Sequence, residues 1–306
     1  MKVPEQAASR WFSRSAARLA VIAPPYLWML FFFALPFAFI VKISLAESLV
    51  ALPPYSEIWQ WLDGEFIWSG TLDNYRFLLE DDLYYSAYFN SVRLAGIATI
   101  ICLLVAYPMA YAISRMEEPY RGFFLLLVIL PSWTSFLIRI YAWIGILKNN
   151  GLINHLLMSI GAIDQPIAMM HTDFAIYLGI VYGYLPFMVL PIYTSLTRLD
   201  PSLVEAAYDL GAKPYRVFLS IILPLSMGGV IAGCFLVFIP AVGEFVIPEL
   251  LGGPGTLMIG KVLWQEFFVN RDWPVASAIA VVMLVMLIIP IYFYRQIELK
   301  QLGVDK

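Results

Sequence analysis

The most regular feature of this sequence is a series of long apolar segments separated by polar stretches. A helix needs about 20 apolar residues to cross about 30 Å of hydrocarbon, and each segment is long enough to do so. The segments cover residues 19–46, 88–114, 122–147, 174–196, 221–247 and 275–294. The pattern therefore predicts an all-α integral membrane protein with six transmembrane helices.

The composition supports this class of protein. Of the 306 residues, 61% are hydrophobic and only 13% are charged, and the mean hydropathy is +0.78. A soluble domain could not bury that much apolar surface, so the bilayer must be part of the solvent. The net charge of −3 argues against a nucleic-acid-binding protein. Cys102 and Cys234 lie inside apolar segments without the spacing of metal ligands, which is typical of small buried hydrophobic residues.

Basic residues predict the orientation of the chain in the membrane. A cytoplasmic N-terminus places twelve of them in the cytoplasm: Lys2, Arg10, Arg14, Arg18, Arg115, Arg121, Arg198, Lys213, Arg216, Arg295, Lys300 and Lys306. Only Arg76, Lys148, Lys261 and Arg271 then lie outside. This bias predicts cytoplasmic tails at 1–18 and 295–306. The first segment is too long for a signal peptide and lacks a small-residue cleavage site, so we expect a retained anchor.

The predicted external loop, residues 47–87, is acidic and rich in tryptophan. It contains Trp59, Trp61 and Trp68, and eight carboxylates stand against a single arginine, Arg76. An aromatic belt at the membrane interface accounts for the tryptophans, and a docking surface for a partner is the alternative.

Local sequence signals predict two short helices in the predicted cytoplasmic loop 198–220. Pro201 favours the first turn of a helix, and Glu205 and Asp209 lie one turn apart on one face. Gly211 can adopt the left-handed conformation that ends a helix, and Pro214 can begin the second helix. We expect a bent, rigid helix pair in which Ala206 and Ala207 form a low surface that a partner can approach closely.

The spacing of this stretch resembles the EAA loop of type I ATP-binding-cassette importer permeases, the MetI-like family. Glu-Ala-Ala is followed by three residues, a glycine, nine residues and then Ile-Ile-Leu-Pro. In that family the loop is the coupling helix that fits a groove on the cytosolic ATPase. The resemblance implies ATPase-coupling roles for Glu205, Ala206, Ala207, Asp209, Gly211 and Pro224.

A second motif, in residues 255–261, resembles a phosphate-binding loop only as far as its lysine, Lys261. Val262 stands where Ser or Thr should hold magnesium, and a helical span precedes the motif instead of a strand. We therefore expect no cofactor and no ATPase site in this chain, with ATP and magnesium bound by a partner subunit. No Ser-His-Asp or metal-ligand pattern is present either, so we expect no enzyme active site.

Further segments resemble the polyamine-importer permeases, and most of all the putrescine branch of that family. They are LPSWTSF at 130–136, GEFVIPE at 243–249 and WQEFFVNRDWPVA at 264–276. The likeness covers nearly the whole chain, and the shared type I core would occupy residues 88–294. It implies a multi-pass permease of the bacterial inner membrane that imports putrescine or another polyamine. The implied partners are two copies of a cytosolic ATPase, a second related permease and an external substrate-binding protein.

A polyamine is a flexible polycation, so its path should offer carboxylates and aromatic faces. Pro240 and Gly243 can break the fifth span near its outer end, which places Glu244 at the outer mouth. The predicted path residues are Glu244, Glu249, Trp133, Tyr141 and Tyr184, with Trp143 and Tyr182 as further aromatic walls. For each aromatic residue, lipid contact or helix packing is the alternative.

Arg139 lies in the outer half of the third span, where an unpaired cation is costly. Pairing with Glu244 or another carboxylate would make it a clamp or an outer gate, and snorkelling to the interface is the alternative. Two other functions also stay open at this point. A type I permease for a different small solute has the same coupling loop, and an ion-coupled secondary transporter could use Glu244 and Arg139.

Overall fold

The computed structural model describes residues 6–62 and 65–301 of the chain. The ends of the predicted tails, residues 1–5 and 302–306, lie outside the described residues. The chain divides into two compact units, a terminal unit formed by residues up to 80 and from 266 onward, and a central unit of residues 81–265.

The N-terminal part of the terminal unit begins with a long helix and continues into an irregular segment. Helix α1 (Gln6–Met29) leads through a π-helical turn at Leu30–Ala34 into α2 (Leu35–Ser44). Strands β1 (Trp59–Leu62) and β2 (Glu65–Trp68) form an antiparallel pair, and α3 (Asp73–Glu80) follows. The sequence prediction contained no strands. Aromatic residues favour strand pairing, and the rings of Trp59 and Trp68 lie 6.4 Å apart across the hairpin.

The central unit contains the next ten helices. They are α4 (Asp82–Ser114), α5 (Tyr120–Ile129), α6 (Phe136–Leu147), α7 (Leu152–Ser159), α8 (Asp173–Thr197), α9 (Pro201–Asp209), α10 (Pro214–Val217), α11 (Leu223–Val242), α12 (Val246–Leu250) and α13 (Ile259–Trp264). The chain then returns to the terminal unit, where α14 (Trp273–Gln301) packs against α2 and α3.

The predicted class, a helical membrane protein, is confirmed. Among the described residues, five helices are long and apolar enough to cross a membrane, and a bent helix pair can supply the sixth crossing. The bounds of the long helices differ from those of the apolar segments, and the helix of the fifth segment ends at Val242 instead of residue 247. Helix α4 begins at Asp82 instead of residue 88, because the Asp81 carboxylate accepts a hydrogen bond from the Leu83 amide at 2.8 Å and caps the polar first turn.

The third predicted span is not one straight helix. The segment at Tyr120–Trp133 and the segment at Phe136–Ser159 meet at an angle of 91°. Pro131 lies in a 3-10 turn, and Thr134 has an extended backbone, so the helical hydrogen bonds stop between the two segments. Hydropathy detected the apolar residues of 122–147 but not the bend.

Helices α4, α8 and α11 form the core of the central unit. Cys102 of α4, Met188 and Ile192 of α8, and Val237 of α11 are buried together in one apolar cluster. A hydrogen bond of 2.8 Å joins the hydroxyl groups of Tyr107 and Ser226, which links α4 to α11 inside this core. The polar loop 198–220 connects α8 to α11, and Glu244 follows directly after the end of α11.

Candidate functional site

The Glu244 carboxylate is buried immediately after the end of α11. Its side chain is 7% exposed, and Tyr184 of α8 donates a hydrogen bond to Oε2 at 2.5 Å. Oε1 accepts hydrogen bonds from the amides of Phe245 and Val246 at 3.1 and 3.0 Å. The carboxylate therefore joins α8 to the first turn of α12 and is held in place by three donors.

The backbone around Glu244 is packed closely. Gly260 of α13 lies so near the Glu244 carbonyl that an added Cβ atom would come within 2.7 Å of its oxygen. The ring of Phe245 stacks on Trp264, with centroids 4.4 Å apart. Helix α11 continues through Pro240 and ends at Gly243, so the predicted break occurs at the glycine and not at the proline.

Glu249, the second predicted path carboxylate, forms an ion pair. The ammonium group of Lys261 lies 3.1 Å from its Oε2 atom, and the lysine side chain is largely buried. From the sequence, Lys261 was predicted only as an external cation at the end of an incomplete phosphate-loop motif. In the structure this lysine is in α13, and the described residues before the motif are the helix α12 and a turn, not a strand.

The predicted aromatic residues do not all gather around Glu244. Tyr184 contacts it, whereas Trp133 and Tyr141 are 70% and 59% exposed. Trp143 packs edge-on against Tyr182, with ring centroids 5.3 Å apart. Lipid or a partner subunit can cover the exposed pair as readily as a substrate can.

Arg139 does not pair with Glu244. Within the part of the chain that the structure describes, it forms no ion pair, and its Nε atom is buried without an acceptor. Its guanidinium group instead lies 5.4 Å from the Phe136 ring centroid and 6.0 Å from that of Tyr182. Cation–π contacts thus take the place of the carboxylate partner that was one prediction for Arg139.

The polar loop between α8 and α11 has the predicted bent helix pair. Asp200 caps α9 by accepting a hydrogen bond from the Ser202 amide at 3.0 Å, and this bond holds the pKa of the Asp200 carboxyl below its usual range. At the other end Gly211 has a φ angle of 78°, which confirms the predicted left-handed conformation. Its amide donates to Tyr208, and that of Ala212 donates to Ala207, so the helix ends in a Schellman motif.

The two adjacent alanines face in different directions, which corrects the prediction that both form an open surface. Ala206 is exposed, but Ala207 is 8% exposed and packs with Val204, Val217 and Ile222 in the core of the central unit. Glu205 and Asp209 are exposed beside Ala206, as is Leu210 at 88%. The open surface at the end of α9 therefore includes Glu205, Ala206, Asp209 and the capping residue Leu210, and Leu203 and Tyr208 of α9 are exposed as well.

Pro224 is not part of the loop. The second short helix continues as one long helix over Pro214–Val242, and Pro224 lies within it. A proline removes one helical hydrogen bond, and the π-helical turn at Phe218–Ile222 accommodates that loss. A direct contact of Pro224 with the ATPase is therefore not supported by its position.

We expect Ala207→Leu to destabilise the protein, whereas Ala206→Leu should not. Additional methylene groups in a packed core cost about 1–3 kcal/mol, while Ala206 has open space around it. The thermal midpoint of this chain purified in detergent without other subunits measures the difference, since nothing then covers Ala206. Equal midpoints for the two variants would contradict the burial of Ala207.

The sequence matches a family of known proteins over most of its length. The model described as binding-protein-dependent transport system inner membrane component matches residues 98–300. The chain is 38% identical over 275 residues to the spermidine/putrescine transport system permease protein PotB of Haemophilus influenzae, covering 89% of this chain and 91% of that protein. It is 44% identical over 217 residues to PotB of Escherichia coli, covering 71% and 78%.

Solved structures with the same fold come from bacterial ABC transporters. A chain of the importer of the acidic polysaccharide alginate superposes with a TM-score of 0.68 at 17% identity, covering 95% of this chain and 99% of that one. A chain of the MetNI methionine transporter in an inward-facing conformation gives 0.54 at 14% identity, covering 70% and 94%. At these identities the likeness concerns the fold alone.

Proposed function

The chain belongs to the family of binding-protein-dependent transport system inner membrane components, and we propose that it is the transmembrane permease subunit of an ATP-driven polyamine importer. The observation that carries the proposal is the 38% identity, over 89% of the chain, to a relative named for spermidine and putrescine transport. Putrescine is the substrate we propose first, since the segments at 130–136 and 243–249 resemble the putrescine branch of the family. The chain is a multi-pass protein of the inner membrane.

In this proposal the exposed surface of α9 docks on a cytosolic ATPase. Both tails and the α9–α10 pair are cytoplasmic, as the distribution of basic residues predicts. The surface of Glu205, Ala206, Asp209 and Leu210 offers two carboxylates, a small side chain and an exposed leucine. The Schellman motif at Gly211 keeps the angle between the two helices, so movement of the ATPase is passed to α11.

The ATPase, and not this chain, is proposed to bind ATP and magnesium. The partners are two copies of that ATPase, a second related permease that completes the pore, and an external substrate-binding protein. Two related permeases are needed in this proposal because one chain supplies half of the pore wall. ATP binding closes the ATPase pair, and the permease pair then alternates between its inward and outward conformations.

Glu244 is proposed as the carboxylate that attracts the polyamine near the outer mouth. Its buried negative charge is held by Tyr184 and two amides and is not neutralised by Arg139. A buried carboxylate without a cationic partner favours a cationic ligand. Glu249 is paired with Lys261 and contributes less net charge.

Uptake by the complete transporter in proteoliposomes tests the function. The vesicles contain this chain, the second permease and the ATPase, and the external protein is supplied with radiolabelled putrescine. We expect ATP-dependent uptake that unlabelled putrescine and spermidine reduce and that methionine does not. ATP hydrolysis should rise when the loaded binding protein is added, and this chain without the ATPase should hydrolyse none.

Each alternative has its own result in this experiment. Uptake that follows an imposed ion gradient without ATP would support a secondary transporter. Stronger inhibition by spermidine than by putrescine would make spermidine the preferred substrate instead of putrescine. Coupled hydrolysis without polyamine uptake would support a permease for a different solute.

A further inference from the structure

A cleft of about 170 Å³ lies beside α9 in the central unit. The end of α4 supplies Tyr111, Ser114 and Arg115, the start of α5 supplies Arg121, and the first turn of α9 supplies part of the opposite wall. Roughly 30 Å³ is the volume of one water molecule in the liquid, so the cleft has room for a small polyatomic group together with water.

Arg121 has unused hydrogen-bonding capacity at this cleft. Its Nη2 atom donates to the Met116 carbonyl at 2.9 Å, which fixes the side chain. Its Nε atom is buried and has no acceptor. Its Nη1 atom lies 3.8 Å from an oxygen of Glu118, a well-exposed side chain, so this ion pair is weak. A guanidinium group has five donors, and among the described residues the bond to the Met116 carbonyl uses one of them, so the Nη groups of Arg121 have donors left for a ligand in the cleft.

Arg115 adds a second cation to the cleft. Its guanidinium group lies 5.3 Å from the centroid of the Tyr111 ring, which holds it by a cation–π contact and leaves its edge available. Asp200 is the acidic residue among those that line the cleft, and its carboxylate is already bonded to the Ser202 amide. The lining is thus net cationic.

We propose that this cleft binds a phosphate-bearing anion through Arg115 and Arg121. The planar fork of arginine matches the oxygens of a phosphate group. In the orientation on which the proposed function rests, the cleft faces the cytoplasmic leaflet, where basic pockets between transmembrane helices bind anionic headgroups. The phosphate of an anionic lipid and free inorganic phosphate have the same chemistry. Because Pro201 and Val204 of α9 line the same cleft, the bound anion contacts the helix proposed to dock on the ATPase.

Two probes test the proposal on the assembled transporter. Vesicles of phosphatidylcholine alone, or of equal parts of phosphatidylcholine and phosphatidylglycerol, supply the lipid, and native mass spectrometry counts the phosphatidylglycerol retained. Titration with inorganic phosphate in neutral detergent supplies the free anion. We expect Arg115→Gln combined with Arg121→Gln to weaken binding about tenfold or more, the scale of charge-assisted hydrogen bonds. Arg121→Lys, which keeps the charge but loses the fork, should give an intermediate loss.

The matched control is Arg198→Gln, since Arg198 is an exposed cytoplasmic-loop arginine that does not line the cleft. It should bind as the wild type does. Retention of phosphatidylglycerol alone assigns the site to lipid, and binding of inorganic phosphate assigns it to a free anion; either result supports the proposal. Equal losses in the control and in the double variant, or no anion bound by the wild type, would overturn it. Unchanged anion binding with loss of the ATPase from the double variant would also overturn it, by assigning the arginines to the subunit contact.

These measurements do not depend on the transported substrate. Anion binding can be present when polyamine uptake is absent, and uptake can be present when no anion is bound. A failure of the anion site is therefore distinguishable from a failure of the proposed import function.

Discussion

Replacing Glu244 by glutamine is expected to lower polyamine uptake by roughly 5- to 150-fold, because about 1–3 kcal/mol of binding to the substrate cation is lost. Glutamine has almost the same size as glutamate. Its carbonyl oxygen can still accept from the amides of Phe245 and Val246, and its NH2 group can donate to the hydroxyl of Tyr184. The variant therefore removes the charge and keeps the local structure, so assembly and basal ATP hydrolysis should persist.

Glu244→Ala and Tyr184→Phe are the controls for this experiment. Alanine leaves two partly buried amides and a tyrosine hydroxyl without their acceptor, at a cost of up to about 1–3 kcal/mol for each group. This variant should lose assembled complex as well as uptake. Tyr184→Phe removes one donor but retains the carboxylate, so its uptake should fall less than that of Glu244→Gln. Wild-type uptake kinetics in Glu244→Gln would leave the carboxylate with a structural role only, as an acceptor for α12 and Tyr184.

The same uptake assay addresses Arg139. If this arginine existed to neutralise Glu244, then Arg139→Gln would rescue the Glu244→Gln variant. The structure instead surrounds Glu244 with neutral donors and places Arg139 over the rings of Phe136 and Tyr182. We therefore expect no rescue in the double variant.

The membrane-spanning character of the chain could be predicted because it depends on local composition. An apolar segment of about 20 residues is a sufficient signal whatever lies beside it. The bend in the third span depends on the backbone at Thr134 and on Pro131, and a hydropathy average does not register either residue. The extra polar turns of α4 were missed for the same reason, since a cap at Asp81 adds helix without adding hydrophobicity.

For the candidate sites as well, local features could be predicted from the sequence and tertiary contacts could not. The left-handed backbone at Gly211 is a local property of a glycine at a helix end, and it was predicted correctly. The burial of Ala207 depends on which face of α9 packs on Val217 and Ile222, a tertiary property that the motif does not contain. The pairing of Glu249 with Lys261 brings two helices together across a loop, and the spacing of charges along the chain does not reveal it.

Gly211→Val is expected to abolish the stimulation of ATP hydrolysis by substrate, and uptake with it, while the subunits are still inserted into the membrane. A Cβ atom added at Gly211 would have no neighbour within 4 Å. The cost is in the backbone, because an L-residue in the left-handed region loses about 1–2 kcal/mol and a β-branched residue is a stronger outlier. Relief of this strain breaks the hydrogen bonds from Gly211 to Tyr208 and from Ala212 to Ala207, so that α9 no longer keeps its angle to α10.

Gly211→Asn is the matched control for this prediction, since asparagine adopts left-handed backbone conformations more readily than other residues with a side chain. The asparagine variant should keep most of the substrate-stimulated hydrolysis, although its side chain is comparable in size to valine. Co-purification of the ATPase with each variant separates a loss of docking from a loss of transmission. Equal loss in both variants would assign the effect to side-chain bulk at the subunit contact, and full stimulation in the valine variant would remove the α9–α10 angle from the coupling mechanism. The contrast between valine and asparagine therefore tests whether the backbone geometry of this one residue connects ATP hydrolysis to the membrane helices.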